Sequence, residues 1–273
     1  MRILKIILFV LLSSVFIIVL FINISPQFGS NPSRAQKLFF SSFENFENGS
    51  FKNNQPTALF TDEMSFWDFF KTELNRKPVK EIMPIKVDVK SFVKKDIEQI
   101  KMVWLGHSAF LINIKGFIIL LDPMLGSHAA PLPLPSLKRY SSQMAFNIDE
   151  IEVIDFVIFS HDHYDHLDYP TIKKIKSRVK NFIVPHGIGN HLKSWGVQSK
   201  SIIELNWDES ISYYGIEFVC LPARHFSGRG PINRNSTLWS SWAIKTNVGK
   251  IYFSGDSGYG THFKKIGQEH GPF

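Results

Sequence analysis

Apolar residues fill the start of the chain with no charge among them. Residues 6–24 carry only Ser13, Ser14 and Asn23 as polar breaks. A helix needs about 20 such residues to cross a bilayer, so residues 1–25 are predicted to be a membrane anchor. Residues 26–61 then lose any period and are rich in Ser, Asn, Phe and Gly, which predicts a linker that packs loosely on the domain after it. Residues 63–76, with Phe66, Trp67, Phe69 and Phe70, predict a short aromatic helix at the head of a 62–273 domain. From Lys101 the pattern changes to short β-branched runs at 102–105, 109–114 and 117–121, with Gly116 as a hairpin turn. A proline-rich loop leads to a continuous apolar strand at 154–160. A helix over 170–180 follows, capped by Asp168, then a strand at 181–184 and a helix at 186–195 stopped by Gly196. Further strands are predicted at 201–205, 211–214, 216–221, 239–246 and 250–254. The order is mixed α/β, with both hairpins and crossovers.

Charge adds a direction to the anchor. Arg2 and Lys5 precede the span, and a basic N-terminus tends to stay cytoplasmic. The domain then lies on the non-cytoplasmic side; Arg34 and Lys37 after the span work against this orientation. A cleaved signal peptide is the competing reading. The apolar run is longer than a usual signal core and no A-x-A-like site follows, which favours an uncleaved anchor. The net charge of +7 admits nucleic acid, an anionic membrane surface or a phosphate-bearing substrate as partners. Much of the excess is Lys spread over polar segments, which reads mainly as a solvated surface. With 44% hydrophobic and 20% charged residues, and 25 Phe, the chain suits a globular enzyme. The single cysteine, Cys220, excludes an internal disulfide and a cysteine-type zinc site, and its apolar run predicts a buried strand residue.

The chemistry concentrates at the end of strand 154–160, in the run His161-Asp162-His163-Tyr164-Asp165-His166. On extended backbone His161 and His163 point the same way and can grip one ion together. Asp165 and His166 follow as the chain turns and can reach a second ion. Imidazole and carboxylate are ligands that zinc accepts. A polar loop capping the next helix is the alternative, but Asp168 can do that alone and three histidines would remain unaccounted for. His225 and Asp256 also stand where a strand hands over to a loop. Each alone is a weak signal, because a loop histidine or an ordinary turn aspartate would look the same. The run Gly255–Gly260 lacks the lysine of a nucleotide-binding loop.

Together, the HxHxDH run, the later His225 and the Asp256 in a Gly-Asp-Ser-Gly turn resemble the metallo-β-lactamase superfamily. The segments around Gly106-His107-Ser108, Asp122-Pro123, Leu221–Arg229, Thr237-Leu238-Trp239 and Phe253–Tyr259 are similar to its N-acylphosphatidylethanolamine phospholipase D-like branch. The resemblance covers roughly residues 62–273. It implies an αββα sandwich with two zinc ions at one edge. His161, His163 and His225 would hold the first zinc, Asp165 and His166 the second, and Asp256 would bridge them. The family has one further ligand histidine well beyond the bridging aspartate, and His262 and His270 lie too close to it to be clear counterparts. The resemblance thus implies a domain incomplete at its C-terminus, lacking the last strands and helix, with a weakened second zinc site.

A two-zinc site lowers the pKa of a bound water, which then attacks phosphorus or a carbonyl carbon. Asp165 is the candidate to orient that water or accept its proton. Asp122 is a candidate to hydrogen-bond a ligand histidine, and His107 to line the mouth. Arg224, Arg229 and Arg234 are candidates to grip a phosphate. The leading expectation is a phosphodiesterase acting on a phospholipid or related diester near a membrane. The alternatives are a lactone or amide-ring hydrolase on the same centre, and a catalytically impaired, membrane-tethered metal-binding protein. Nucleic acid as a partner is disfavoured by the membrane segment.

Overall fold

Helix α1 (Arg2–Ile24) opens the chain in the computed structural model of the protein, which describes residues 2–57, 78, 80–95 and 98–273. The aromatic helix expected over 63–76 lies outside the described residues. None of the side chains of α1 is buried, and the helix is long and apolar enough to cross a membrane by length and composition. Two of its polar side chains bond within the helix: Ser14 Oγ donates to the Val10 carbonyl at 2.8 Å and Asn23 Nδ2 to that of Val19 at 2.7 Å. The stretch read as a linker contains helix α2 (Arg34–Phe40) and a small hairpin of β1 (Phe46–Glu47) and β2 (Ser50–Phe51). Ser33 and Gln36 form a reciprocal cap at the start of α2. Phe40, Phe46 and Phe51 are buried. A short helix, α3 (Val89–Phe92), precedes the first sheet.

Six strands make that sheet: β3 (Ile100–Gly106), β4 (Ala109–Ile114), β5 (Phe117–Leu121), β6 (Ile154–Ile158), β7 (Val179–Pro185) and β8 (Ile202–Leu205). They lie in sequence order, β3 to β5 antiparallel and β5 to β8 parallel. Lys115 and Gly116, both at positive φ (57° and 91°), make the tight turn that sets the register Ile114 opposite Phe117. The parallel connections carry α4 (Tyr169–Ile175) and α5 (Ile188–Ser194). Asp168 caps α4 by accepting from the Thr171 amide, and Gly196 stands just past α5 at φ 83°. Helix α4 is shorter than the predicted 170–180. Val179 already pairs with Ile154 of β6, and Arg178 donates its amide to Ile175, closing a turn. Sheet pairing overrides local helix preference there.

The second sheet is antiparallel, in the order β12-β11-β10-β9: β9 (Ser210–Tyr213), β10 (Ile216–Leu221), β11 (Ser241–Thr246) and β12 (Gly249–Phe253). Helix α6 (His262–His270), not anticipated from the sequence, lays Ile266 on Val219, Leu221 and Ala243. Alternation along each strand then builds three apolar layers. Ile112, Ile119, Phe156 and Ile183 meet Phe218, Cys220, Trp242 and Ile244 between the sheets. Leu111, Leu120, Val157 and Phe182 meet Ile172, Ile175, Ile188 and Leu192 on the outer face of the first sheet. With α6 on the far side, this is an αββα sandwich. The sheets are tied near β6, where Trp242 Nε1 donates to the Phe159 carbonyl (2.9 Å) and the Ser240 amide to that of Ser160 (2.8 Å).

Candidate metal centre

Five points of the chain deliver polar side chains to one edge of the sandwich. They are the β3–β4 turn (His107), the ends of β5 (Asp122) and β6 (161–166), and the loops after β10 (His225) and β12 (Asp256). Ligand atoms of His161, His163 and His225 all lie within 4.8 Å of one another, and so do those of His107, Asp165, His166 and Asp256. His161 Nε2 is 2.9 Å from His163 Nδ1, which is 3.2 Å from His225 Nε2. A tetrahedral zinc ion keeps its nitrogen donors about 3.3 Å apart, so the three imidazoles are spaced as such an ion would need.

His166 supplies an independent test. Its ring is buried, and Nδ1 lies 2.6 Å from Asp122 Oδ2. Its Nε2 makes no hydrogen bond of good geometry among the described residues, although it pairs ionically with Asp256 Oδ2 at 3.2 Å and lies 3.8 Å from Asp165 Oδ2. A buried imidazole nitrogen outside good hydrogen-bond geometry and facing two carboxylates is a donor arrangement that a cation would join. The donor set therefore fits a metal.

The electrostatics divide the two groups. Burial holds His161 well below its ordinary pKa, burial also lowers His163, and burial with the nearby His163 brings His225 to about 4. These three are neutral donors at pH 7. Burial opposes the charged form of His166 too, but Asp122, with Asp256 and Asp165, outweighs it and pushes that group up to about 10. Asp165, despite burial, is held below the usual carboxylate range by His107 and His166. His166 also lowers Asp256 against the effect of burial. The hydrogen bond that His107 donates to Asp165 raises its pKa, with His107 Nε2 2.9 Å from Asp165 Oδ2. His107 reaches the group from a turn held at φ 49° and tied by Trp104 Nε1 donating to its carbonyl at 2.7 Å.

Asp122, buried and itself at φ 39°, also accepts from the Ser160 amide at 2.7 Å and from the Ser160 hydroxyl. It thus fixes both the start of the loop and the orientation of the His166 ring. Of the three arginines expected to grip a phosphate, Arg229 and Arg224 bond to other partners, while Arg234 stays beside a ring that packs on His163 and His225. Arg229 is 2% exposed and turned inward, donating to the carbonyls of Asp162 (2.6 Å), Leu167 (2.8 Å) and Gln27 (2.8 Å), with its guanidinium over the Tyr164 ring. Arg224 ties neighbouring loops through Thr57 Oγ1 and the carbonyl of Tyr259. Arg234 lies over the Phe226 ring. His262 bonds Ser257 at 2.9 Å and stands in neither donor group.

Sequence reasoning missed Asp162. Its carboxylate is buried and accepts from the Gly228 amide (2.7 Å), Thr237 Oγ1 (2.9 Å) and His191 Nε2 (3.3 Å). His191 Nδ1 accepts from the Ser30 amide at 3.0 Å, so its proton sits on Nε2, facing Asp162. The signal was present in the alternation: if His161 and His163 face the metal, the residue between them must face the interior and find partners there.

A family model described as a beta-lactamase superfamily domain matches residues 118–273, more than half of the chain. An uncharacterized protein of Mycobacterium tuberculosis is 36% identical over 235 residues, covering 84% of this chain and 62% of the relative. The N-acyl-phosphatidylethanolamine-hydrolyzing phospholipase D 1 of Caenorhabditis elegans is 36% identical over 181 residues, covering 62% of this chain and 50% of that enzyme. A metal-dependent hydrolase of Methanopyrus kandleri is 27% identical over 175 residues, covering 63% of this chain and 68% of its own. The chain thus spans between half and two thirds of the first two relatives. The matched domain, the αββα layering and the donor groups at one edge together make the chain a member of the metallo-β-lactamase superfamily of metal-dependent hydrolases.

Proposed function

We propose that the chain is a zinc-dependent phosphodiesterase whose substrate is a phospholipid or a related phosphate diester at a membrane. The observation that carries the reading is the pair of adjoining donor groups at one sheet edge, one of three neutral imidazoles and one mixing carboxylate with imidazole. His161, His163 and His225 would hold one zinc, Asp165 and His166 a second, and Asp256 would lie between them. Bound there, the ions would lower the pKa of a water to near neutral and polarise a phosphoryl oxygen. Asp122 would hold a proton on Nδ1 of the His166 ring, so that Nε2, once its own proton is displaced, meets the metal. Asp165, 35% exposed at its side chain, would orient the attacking water, while His107 steadies that carboxylate from the rim.

The worm relative, by its name a phospholipase acting on N-acylphosphatidylethanolamine, supports the substrate class, and α1 supports the location. In this reading residues 1–25 are the anchor, 62–273 the hydrolase unit and 26–61 the connection. The basic N-terminus then stays cytoplasmic and the site lies on the other side. The test is turnover by detergent-solubilised, zinc-loaded protein of N-acylphosphatidylethanolamine, of a simple aryl phosphodiester and of a lactone. Diester hydrolysis that disappears in His161→Ala is expected. Lactone turnover without diester turnover would refute the substrate class.

A further inference from the structure

The loop that carries His225 is held from outside the matched domain. Asn53, 172 residues earlier, faces the backbone of His225 with both ends of its amide. Its Nδ2 donates to the His225 carbonyl at 2.8 Å, and its Oδ1 accepts from the His225 amide at 3.1 Å. The same Oδ1 accepts from Trp239 Nε1 at 3.1 Å, and that indole also donates to the Ala223 carbonyl at 2.9 Å. One side chain therefore closes a ring of hydrogen bonds around residues 223–225. Asparagine suits this geometry because its amide offers a donor and an acceptor side by side, matching the C=O and N–H of a single residue.

Asn53 is itself firmly placed. Phe51, 1% exposed, plugs the core between the sheets, and its amide donates to the Asn235 carbonyl at 2.8 Å. The Lys52 amide bonds Asn45, whose side chain bonds Asn206 at 2.8 Å. Further back, the residues just after α1 brace the other histidine loop. The Pro26 carbonyl accepts from Trp195 Nε1 (2.6 Å) and that of Gln27 from Arg229 Nε, while Phe28 packs edge-on to Tyr164.

We propose that Asn53 is a positioning residue of the metal centre, fixing the backbone of His225 so that its imidazole meets those of His161 and His163. The N-terminal arm is then a working part of the site and more than a tether. The inference rests on the metal-binding reading above. Partners beyond the ligands typically change metal affinity by about 10–100-fold, so Asn53→Ala is expected to weaken binding at the three-histidine site by at least about tenfold.

The test titrates the full chain in detergent with cobalt(II) or zinc alone against a chromophoric chelator, and records the cobalt visible spectrum. Asn53→Ala is expected to lose affinity and change the spectrum. Asn53→Asp, which keeps the acceptor but not the donor, should fall between it and the parent. Ser33→Ala breaks the cap of α2 in the same arm without touching the site, and should bind as the parent does. Unchanged affinity and spectrum in Asn53→Ala, or an equal loss in Ser33→Ala, would overturn the proposal alone. A parent protein that takes up no metal would overturn it together with the proposed function.

Discussion

Replacing Asp162 by alanine should destabilise the fold heavily although the residue touches no metal. The change removes a buried acceptor and strands three donors: the Gly228 amide, the Thr237 hydroxyl and His191 Nε2. A buried donor without a partner costs about 1–3 kcal/mol. Two of the bonds are short and the third, at 3.3 Å, is weak. Counting the third at half weight and subtracting part of the relief from no longer burying a carboxylate leaves a net loss of about 3–4 kcal/mol. His191 cannot adapt by switching tautomer, because its Nδ1 already accepts from the Ser30 amide. Asp162→Asn keeps one acceptor oxygen but points an amide N–H at His191 Nε2–H, so about 1–2 kcal/mol is expected. The assay is equilibrium urea unfolding of the detergent-solubilised chain with a chelator present, which removes any contribution from metal binding to the folded state. A loss below about 1 kcal/mol for Asp162→Ala would show that these bonds are replaced by water or relaxation, against the network described.

The metal-site geometry and the buried thiol lead to three more expected outcomes. Asp122→Ala should weaken metal binding at the His166 group by about 10–100-fold and at the three-histidine group by less, because Asp122 reaches His161 only through Ser160, read by metal titration. Because His166 sits near pKa 10 without metal and His225 near 4, filling the first of these sites displaces a proton between pH 6 and 8 and filling the other does not. Affinity at the His166 group should therefore rise by up to about tenfold per pH unit over that range, with the three-histidine group nearly flat; equal slopes would refute the assignment. Cys220 is buried between the sheets and its thiol is pushed well up by burial, so a thiol-specific disulfide reagent should label it only after unfolding.

Much of this arrangement could be read from the chain because its signals are local. Strands β4, β5 and β10 follow from apolar runs bounded by turns, and their predicted limits match the structure. The histidine loop was legible because two histidines at spacing two on extended backbone must share a face. Helix α6 escaped because only Ile266 of its nine residues is buried, which leaves little pattern to see. The roles of Asn53, Asp162 and Arg229 escaped for a different reason. Their partners lie tens to hundreds of residues away, and Arg229 in particular looks from sequence like any solvent-facing cation beside a ligand loop. The positions of α2 and the first hairpin were hidden likewise, since buried phenylalanines in a polar, aperiodic stretch resemble linker composition.

The parallel pairing of β5 with β6 has a consequence for assembly. Leu121 sits beside Ile158, and the Asp122 amide continues the ladder to the Ile158 carbonyl at 2.9 Å. Sliding either strand by one position would turn the carboxylate of Asp122 to the opposite face, away from His166. An ion that demands both strands in correct alignment binds only the correctly threaded sheet and leaves misaligned forms unassisted. Metal supply during biosynthesis would then act as a quality check, favouring chains whose slowest contacts, the parallel ones, have already closed.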